Sequence, residues 1–77
     1  MKDLVEFLAR ALVDDPDSVS VESFEEDDGT VVCEVTVADD DVGKLIGRSG
    51  RTVNAVRTVV RAAAVRDGRR VLVDIVD

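Results

Sequence analysis

Histidine, tyrosine and tryptophan are missing from the chain altogether, and cysteine and proline occur once each, as Cys33 and Pro16. Without histidine and with a single thiol, a metal site built from imidazole and thiolate ligands is excluded, and so is an intrachain disulfide. The same shortage removes the commonest general base and leaves no nucleophile set beside one, so an enzyme is not expected. No apolar run approaches the roughly 20 residues that span a bilayer, and Met1-Lys2-Asp3-Leu4 opens neither a signal peptide nor a transit peptide. The expectation is a cytoplasmic protein with no cofactor, no metal, no membrane contact and no small-molecule substrate.

The 77 residues are enough for one domain near the lower size limit of a self-sufficient core. Hydrophobic residues make up 45% and charged residues 35%, the balance of an ordered chain. Valine supplies 17 positions while Phe7 and Phe24 are the sole aromatics, so the core must be built from small and β-branched side chains. That suits a sheet covered by helices. The net charge of −7 is unevenly spread: residues 1–42 hold 14 acidic and 2 basic side chains, residues 43–77 hold 3 acidic and 8 basic. Any anion-binding face belongs to the second half.

Asp3 and Glu6 have capping-box spacing, and Leu4, Leu8 and Leu12 with Val5, Phe7 and Ala11 recur at helical period, predicting a helix over 3–13 that stops before Asp14-Asp15-Pro16-Asp17. Val19 and Val21 alternate with Ser20 and Glu22, and after the turn signal Asp27-Asp28-Gly29 come Val31, Cys33, Val35 and Val37 in alternation, an antiparallel hairpin. Cys33 is in phase with Val31 and Val35 and is expected as a buried small hydrophobe. Asp39-Asp40-Asp41 offers capping carboxylates to a short helix, Val42 to Ile46. A longer helix follows from Arg51 to Arg66, with an apolar stripe of Val53, Val56, Val60 and Ala63 reinforced by Val59 and Ala64, and Gly68 placed to end it. Arg57 and Arg61 fall on another face and read as solvated surface. Arg70 to Val76 alternates as a last strand. The order α-β-β-α-α-β predicts an α+β fold: a three-stranded mixed sheet, helices on one face, with Glu34, Thr36 and Asp74 turned to solvent.

Gly43, Gly47 and Gly50 fall within eight residues, each costing a helix about 1 kcal/mol relative to Ala. Gly47 and Gly50 would let the main chain turn sharply and approach a ligand, just where a new helix presents unpaired N–H groups at Arg51. Lys44, Arg48 and Arg51 add positive charge, and Ser49 a small hydroxyl. The dinucleotide fingerprint fails because Leu45 stands where glycine is required. The P-loop fails because three residues, not four, separate Gly43 from Gly47, and Arg48-Ser49 follows.

Leu45-Ile46-Gly47-Arg48-Ser49-Gly50-Arg51-Thr52-Val53 resembles the I-G-x-x-G-x-x-I signature of KH domains, and the element order resembles their type II arrangement. The length and the run Arg57-Thr58-Val59-Val60-Arg61-Ala62-Ala63-Ala64 are similar to the stand-alone KhpA, or YlqC-like, family. The resemblance covers residues 1–77 as a single KH domain. It implies single-stranded RNA held by the backbone in a groove. Gly47, Arg48, Ser49 and Gly50 carry over as backbone contacts and Leu45 and Ile46 as groove floor, while Arg66, Arg69 and Arg70 flank the opposite wall. Lys44 and Arg51 join on charge and position alone. The resemblance further implies an RNA chaperone acting with a larger KhpB-like KH-domain partner in control of cell length and peptidoglycan homeostasis, with a homodimer as an open alternative. Two other readings stay beside it: an ordinary helix–helix turn at Gly47 to Gly50, and a dimerisation scaffold with weak or no RNA binding, for which the net charge of −7 argues.

Overall fold

The computed structural model describes residues 1–76, with helices α1 (Lys2–Leu12), α2 (Val42–Ile46) and α3 (Arg51–Arg66) and strands β1 (Ser20–Glu25), β2 (Val31–Thr36) and β3 (Val71–Val76). The strands form one sheet in the order β1-β2-β3. β1 and β2 are antiparallel, with Val21 opposite Val35, and β2 and β3 are parallel, with Cys33 opposite Val73. The α+β type II order expected from the sequence is therefore the observed one.

Strand alternation decides the core. Val21, Val31, Cys33, Val35, Val71 and Val73 point to the helices, where they meet Val5 and Ala9 of α1, Leu45 of α2 and Val56, Val60 and Ala64 of α3. Cys33 is completely buried, and burial pushes its thiol pKa up. The buried stripe of α3 is Val53, Val56, Val60 and Ala64. Val59 is instead about half exposed, and Ala63 only partly buried, because the contact line follows one helical face rather than every apolar residue. Phe7, expected in the stripe of α1, is likewise exposed.

Two capping expectations are corrected. α1 starts at Lys2, so Asp3 lies inside its first turn, and Met1 occupies the cap with no side-chain hydrogen bond. Asp41 occupies the cap of α2 but makes no capping bond either. Its buried carboxylate accepts the main-chain N–H groups of Asp14 (3.2 Å) and Asp15 (3.0 Å), 27 and 26 residues away in sequence. A local helix cap is thus replaced by a tie between the end of α1 and the start of α2. β1 runs to Glu25, where Phe24 and Glu25 continue the ladder opposite Val32 and Val31.

Replacing Asp41 with Ala leaves two partly buried N–H donors without an acceptor, and a loss of about 2 kcal/mol is expected in urea unfolding. For a chain of this size that lowers the melting temperature by roughly 8–16 °C.

Candidate nucleic-acid interface

α2 ends where Gly47 donates its N–H to the Gly43 carbonyl (2.8 Å) and turns to φ 78°, ψ 171°. A β-carbon at Gly47 would lie 2.3 Å from Thr52 Oγ1 and 2.8 Å from the Thr52 nitrogen, so no larger residue fits without moving the start of α3. Ser49 (φ 56°) and Gly50 (φ 77°) are both left-handed, and the Gly50 N–H closes the turn on the Gly47 carbonyl at 3.2 Å. Gly43 differs from these two. It lies in α2 with open space around it, so the glycine requirement read from composition holds for Gly47 and Gly50 but has no packing cause at Gly43.

The turn delivers the chain to α3, 16 residues long, whose first N–H groups receive no side-chain cap. The Arg51 N–H, expected to be unpaired, is instead bonded to the Arg48 carbonyl, so what makes this end attractive to an anion is the helix dipole and a first turn without a side-chain cap. Arg48 and Arg51 are exposed beside it and take part in no ion pair among the described residues. Lys44 is committed elsewhere. Its ammonium is hydrogen-bonded to the Asp14 carboxylate and stands 3.9 Å from Asp41, and these carboxylates, Asp14 foremost, raise its pKa.

Leu45, placed by the sequence reading on a groove floor, is buried in the core with 1% exposure, whereas Ile46 is part-exposed and reaches a groove. That groove, about 530 Å³, runs between α3 and β3 and is lined by Ile46, Val53 and Arg57 on one side and Ile75, Val76, Asp74 and Glu34 on the other. Arg66, Arg69 and Arg70 do not line it. The 16 residues of α3 put Arg66 about 22 Å from Arg51, and Arg69 and Arg70 border a separate hollow with Glu25, Asp28 and Thr30. There Asp28 accepts the Thr30 N–H (2.9 Å), which holds its carboxyl below the usual value, and the Arg70 charge adds to the effect.

Arg57, read from sequence as solvated surface, lies in the groove. Its Nε (3.2 Å) and Nη2 (3.0 Å) both donate to the Val73 carbonyl. The Val31 N–H bonds to the Arg70 carbonyl (2.9 Å), so in this ladder the main-chain groups of Val71, Val73 and Ile75 point away from β2, to the free edge. Arg57 therefore covers one acceptor of an exposed edge and joins α3 to β3 across the groove. Helical spacing alone could not identify this role, because the partner is a main-chain carbonyl 16 residues on.

A glycine-x-x-glycine turn between two helices, set against a parallel strand pair and preceded by an α-β unit, defines a KH domain of type II. A family model described as KhpA/KhpB, KH domain, matches residues 2–75. The RNA-binding protein KhpA of Halalkalibacterium halodurans is 54% identical over 78 residues, with 100% of both chains covered. That of Clostridium acetobutylicum is 45% identical, covering 99% of this chain and 100% of its own, and that of Chlamydia trachomatis is 36% identical, covering 100% and 97%. Among solved structures, Era in complex with MgGDPNP and nucleotides 1506–1542 of 16S ribosomal RNA is similar in fold, with a TM-score of 0.66 and 21% identity. The match covers 96% of this chain and 28% of that one. The chain belongs to the KhpA/KhpB family of KH domains, a non-enzymatic class.

Gly47→Ala should destabilise the fold by about 1–3 kcal/mol, since a strained φ is forced on alanine against Thr52. Gly43→Ala, in an open helical position, should be neutral or stabilise by up to about 1 kcal/mol. Chemical denaturation of the two variants side by side checks the contrast.

Proposed function

We propose that this protein binds single-stranded RNA, with the phosphate backbone at the Gly47–Gly50 turn and the bases along the groove between α3 and β3. The observation that carries the reading is the turn itself: glycine backbone at Gly47 and Gly50, feeding a helix N-terminus without a side-chain cap, beside Arg48 and Arg51, which take part in no ion pair among the described residues. In KH domains that loop clamps about four nucleotides. Relatives named RNA-binding protein KhpA, up to 54% identical among those compared, support the same ligand.

In this reading Arg48, Arg51 and the main chain of Gly47 to Gly50 neutralise and orient phosphates, and Ser49 supplies a hydroxyl without bulk. Ile46, Val53 and Ile75 give bases an aliphatic bed in a groove that lacks aromatic rings. Leu45 contributes by packing from beneath and Lys44 by the small net field it leaves after pairing. Arg66, Arg69 and Arg70 act, if RNA extends that far, on nucleotides beyond the clamped four. The protein then works as an RNA chaperone or post-transcriptional regulator together with a KhpB-like KH-domain partner, in cell-length and peptidoglycan homeostasis. The second reading, a dimerisation scaffold with weak RNA affinity, is favoured by one observation, the −7 net charge concentrated in residues 1–42.

Arg48→Asp combined with Ser49→Asp puts two carboxylates where phosphates would lie, at exposed positions that do not support the core. Ultraviolet crosslinking to RNA should be abolished while circular dichroism is unchanged, and unaltered crosslinking would remove the turn from the site. A salt titration separates the two readings. Contact with about four phosphates gives a slope of log K against log salt near −3, whereas a flat response supports the scaffold.

A further inference from the structure

The helices pack on the sheet face that carries Val21, Cys33, Val35 and Val73. By strand alternation the opposite face presents the intervening residues, and the register sorts them into rows across the three strands. Phe24, Val32 and Leu72 form an apolar row, with Glu22, Glu34 and Asp74 as an acidic row beside it. Phe24 is 49% and Leu72 41% exposed. Val32 between them is buried although it is no part of the core under the helices, so its cover comes from this open face. The acidic row sets three like charges opposite one another, which lowers the stability of a ladder. None of the three forms an ion pair among the described residues. Two cations border the face: Arg57, which shares the groove rim with Glu34 and Asp74, and Arg70, which is beside Asp28. One guanidinium at the rim against three carboxylates leaves the row negative.

Size and charge select the occupant. Three strands of six residues each, about 4.8 Å apart, make a face of about 15 by 20 Å. That is about 300 Å², well below the roughly 800 Å² per partner of a stable pair of globular domains, so this face is too small to hold a second copy by itself. A single helix, about 10 Å across, covers it. Helical residues one turn apart are separated by about 5.4 Å along the axis, close to the strand spacing. A helix laid across the strands therefore sets one apolar residue per turn over Phe24, Val32 and Leu72, and an adjoining stripe over Glu22, Glu34 and Asp74. Lysine or arginine in that second stripe supplies the charge the chain does not, whereas phosphate and anionic lipid are repelled. We propose that the open face of the sheet is a docking surface for a basic amphipathic helix of a partner protein. This surface is distinct from the Gly47–Gly50 turn and independent of what that turn binds.

Fluorescence anisotropy of the full chain with two fluorescein-labelled helical peptides of about four turns tests this. Both peptides carry one leucine stripe, and the adjoining stripe is lysine in one and glutamate in the other. The lysine peptide should bind and the glutamate peptide should not. Leu72→Ser should weaken the lysine peptide about tenfold through lost apolar contact. Glu22→Lys with Asp74→Lys should weaken it by about tenfold or more and confer binding of the glutamate peptide. The same charge reversal at exposed positions on the helix side, Asp3→Lys with Asp67→Lys, should alter affinity by no more than about twofold. An equal loss in that control means general attraction to an acidic chain and overturns the proposal. A lysine peptide that does not bind, or that binds the face variants as it binds the native chain, overturns it too. So does a native dimer that Leu72→Ser dissociates in sedimentation equilibrium, because a second copy then occupies the face. Where circular dichroism shows Leu72→Ser unfolded, the reversal at the exposed Glu22 and Asp74 carries the test.

Discussion

The parallel pairing of β2 with β3 is the constraint on which the remaining structure depends. Parallel neighbours cannot be joined by a tight turn, so the chain between Thr36 and Val71 has to cross from one end of the sheet to the other. That crossing is made by α2, the Gly47–Gly50 turn and α3, all on one face. The turn must then reverse the path between two helices in a few residues, which Gly47 and Gly50 do at φ 78° and 77°. The Gly47–Gly50 turn and the sheet topology are thus one solution to one geometric problem.

The same pairing makes β3 an edge strand whose free main-chain groups face α3 across the groove. Arg57 spans the gap by donating to Val73, so the width of the groove is tied to a hydrogen bond as well as to packing. At the start of α2, Asp41 performs an equivalent task by holding Asp14 and Asp15 against that helix. These are polar ties in a core otherwise built from small aliphatic side chains, with Val5, Val35, Val60, Cys33 and Leu45 at its centre. Such side chains pack without directional bonds, and the directional bonds lie at the margins, next to the site.

The fold separates the cations near the turn. Arg48 and Arg51 take part in no ion pair among the described residues, whereas Lys44, only a few residues away, is paired with Asp14 and stands beside Asp41. The acidic first half of the chain therefore does more than lower the net charge, because it removes one cation from the site and places Glu34 in the groove wall. Positive charge outside ion pairs is thereby concentrated at the turn end of the groove, which in the proposed function is the phosphate side.

By itself the sequence determined the order of elements, the buried phase of β2 and β3 through the alternation of Val31, Cys33 and Val35 with Glu34, and the turn at Gly47 to Gly50. These are local: period, turn chemistry and a short motif depend on neighbours in the chain. Only the tertiary structure decided that Asp41 serves a distant loop rather than its own helix, that Lys44 is paired with Asp14, that Leu45 is core and Ile46 groove, and that Arg57 bonds to the edge of β3. The physical reason is common to all of them. A side chain's partner is set by which elements the sheet brings together, and at separations of 16 to 30 residues no periodicity in the sequence records it.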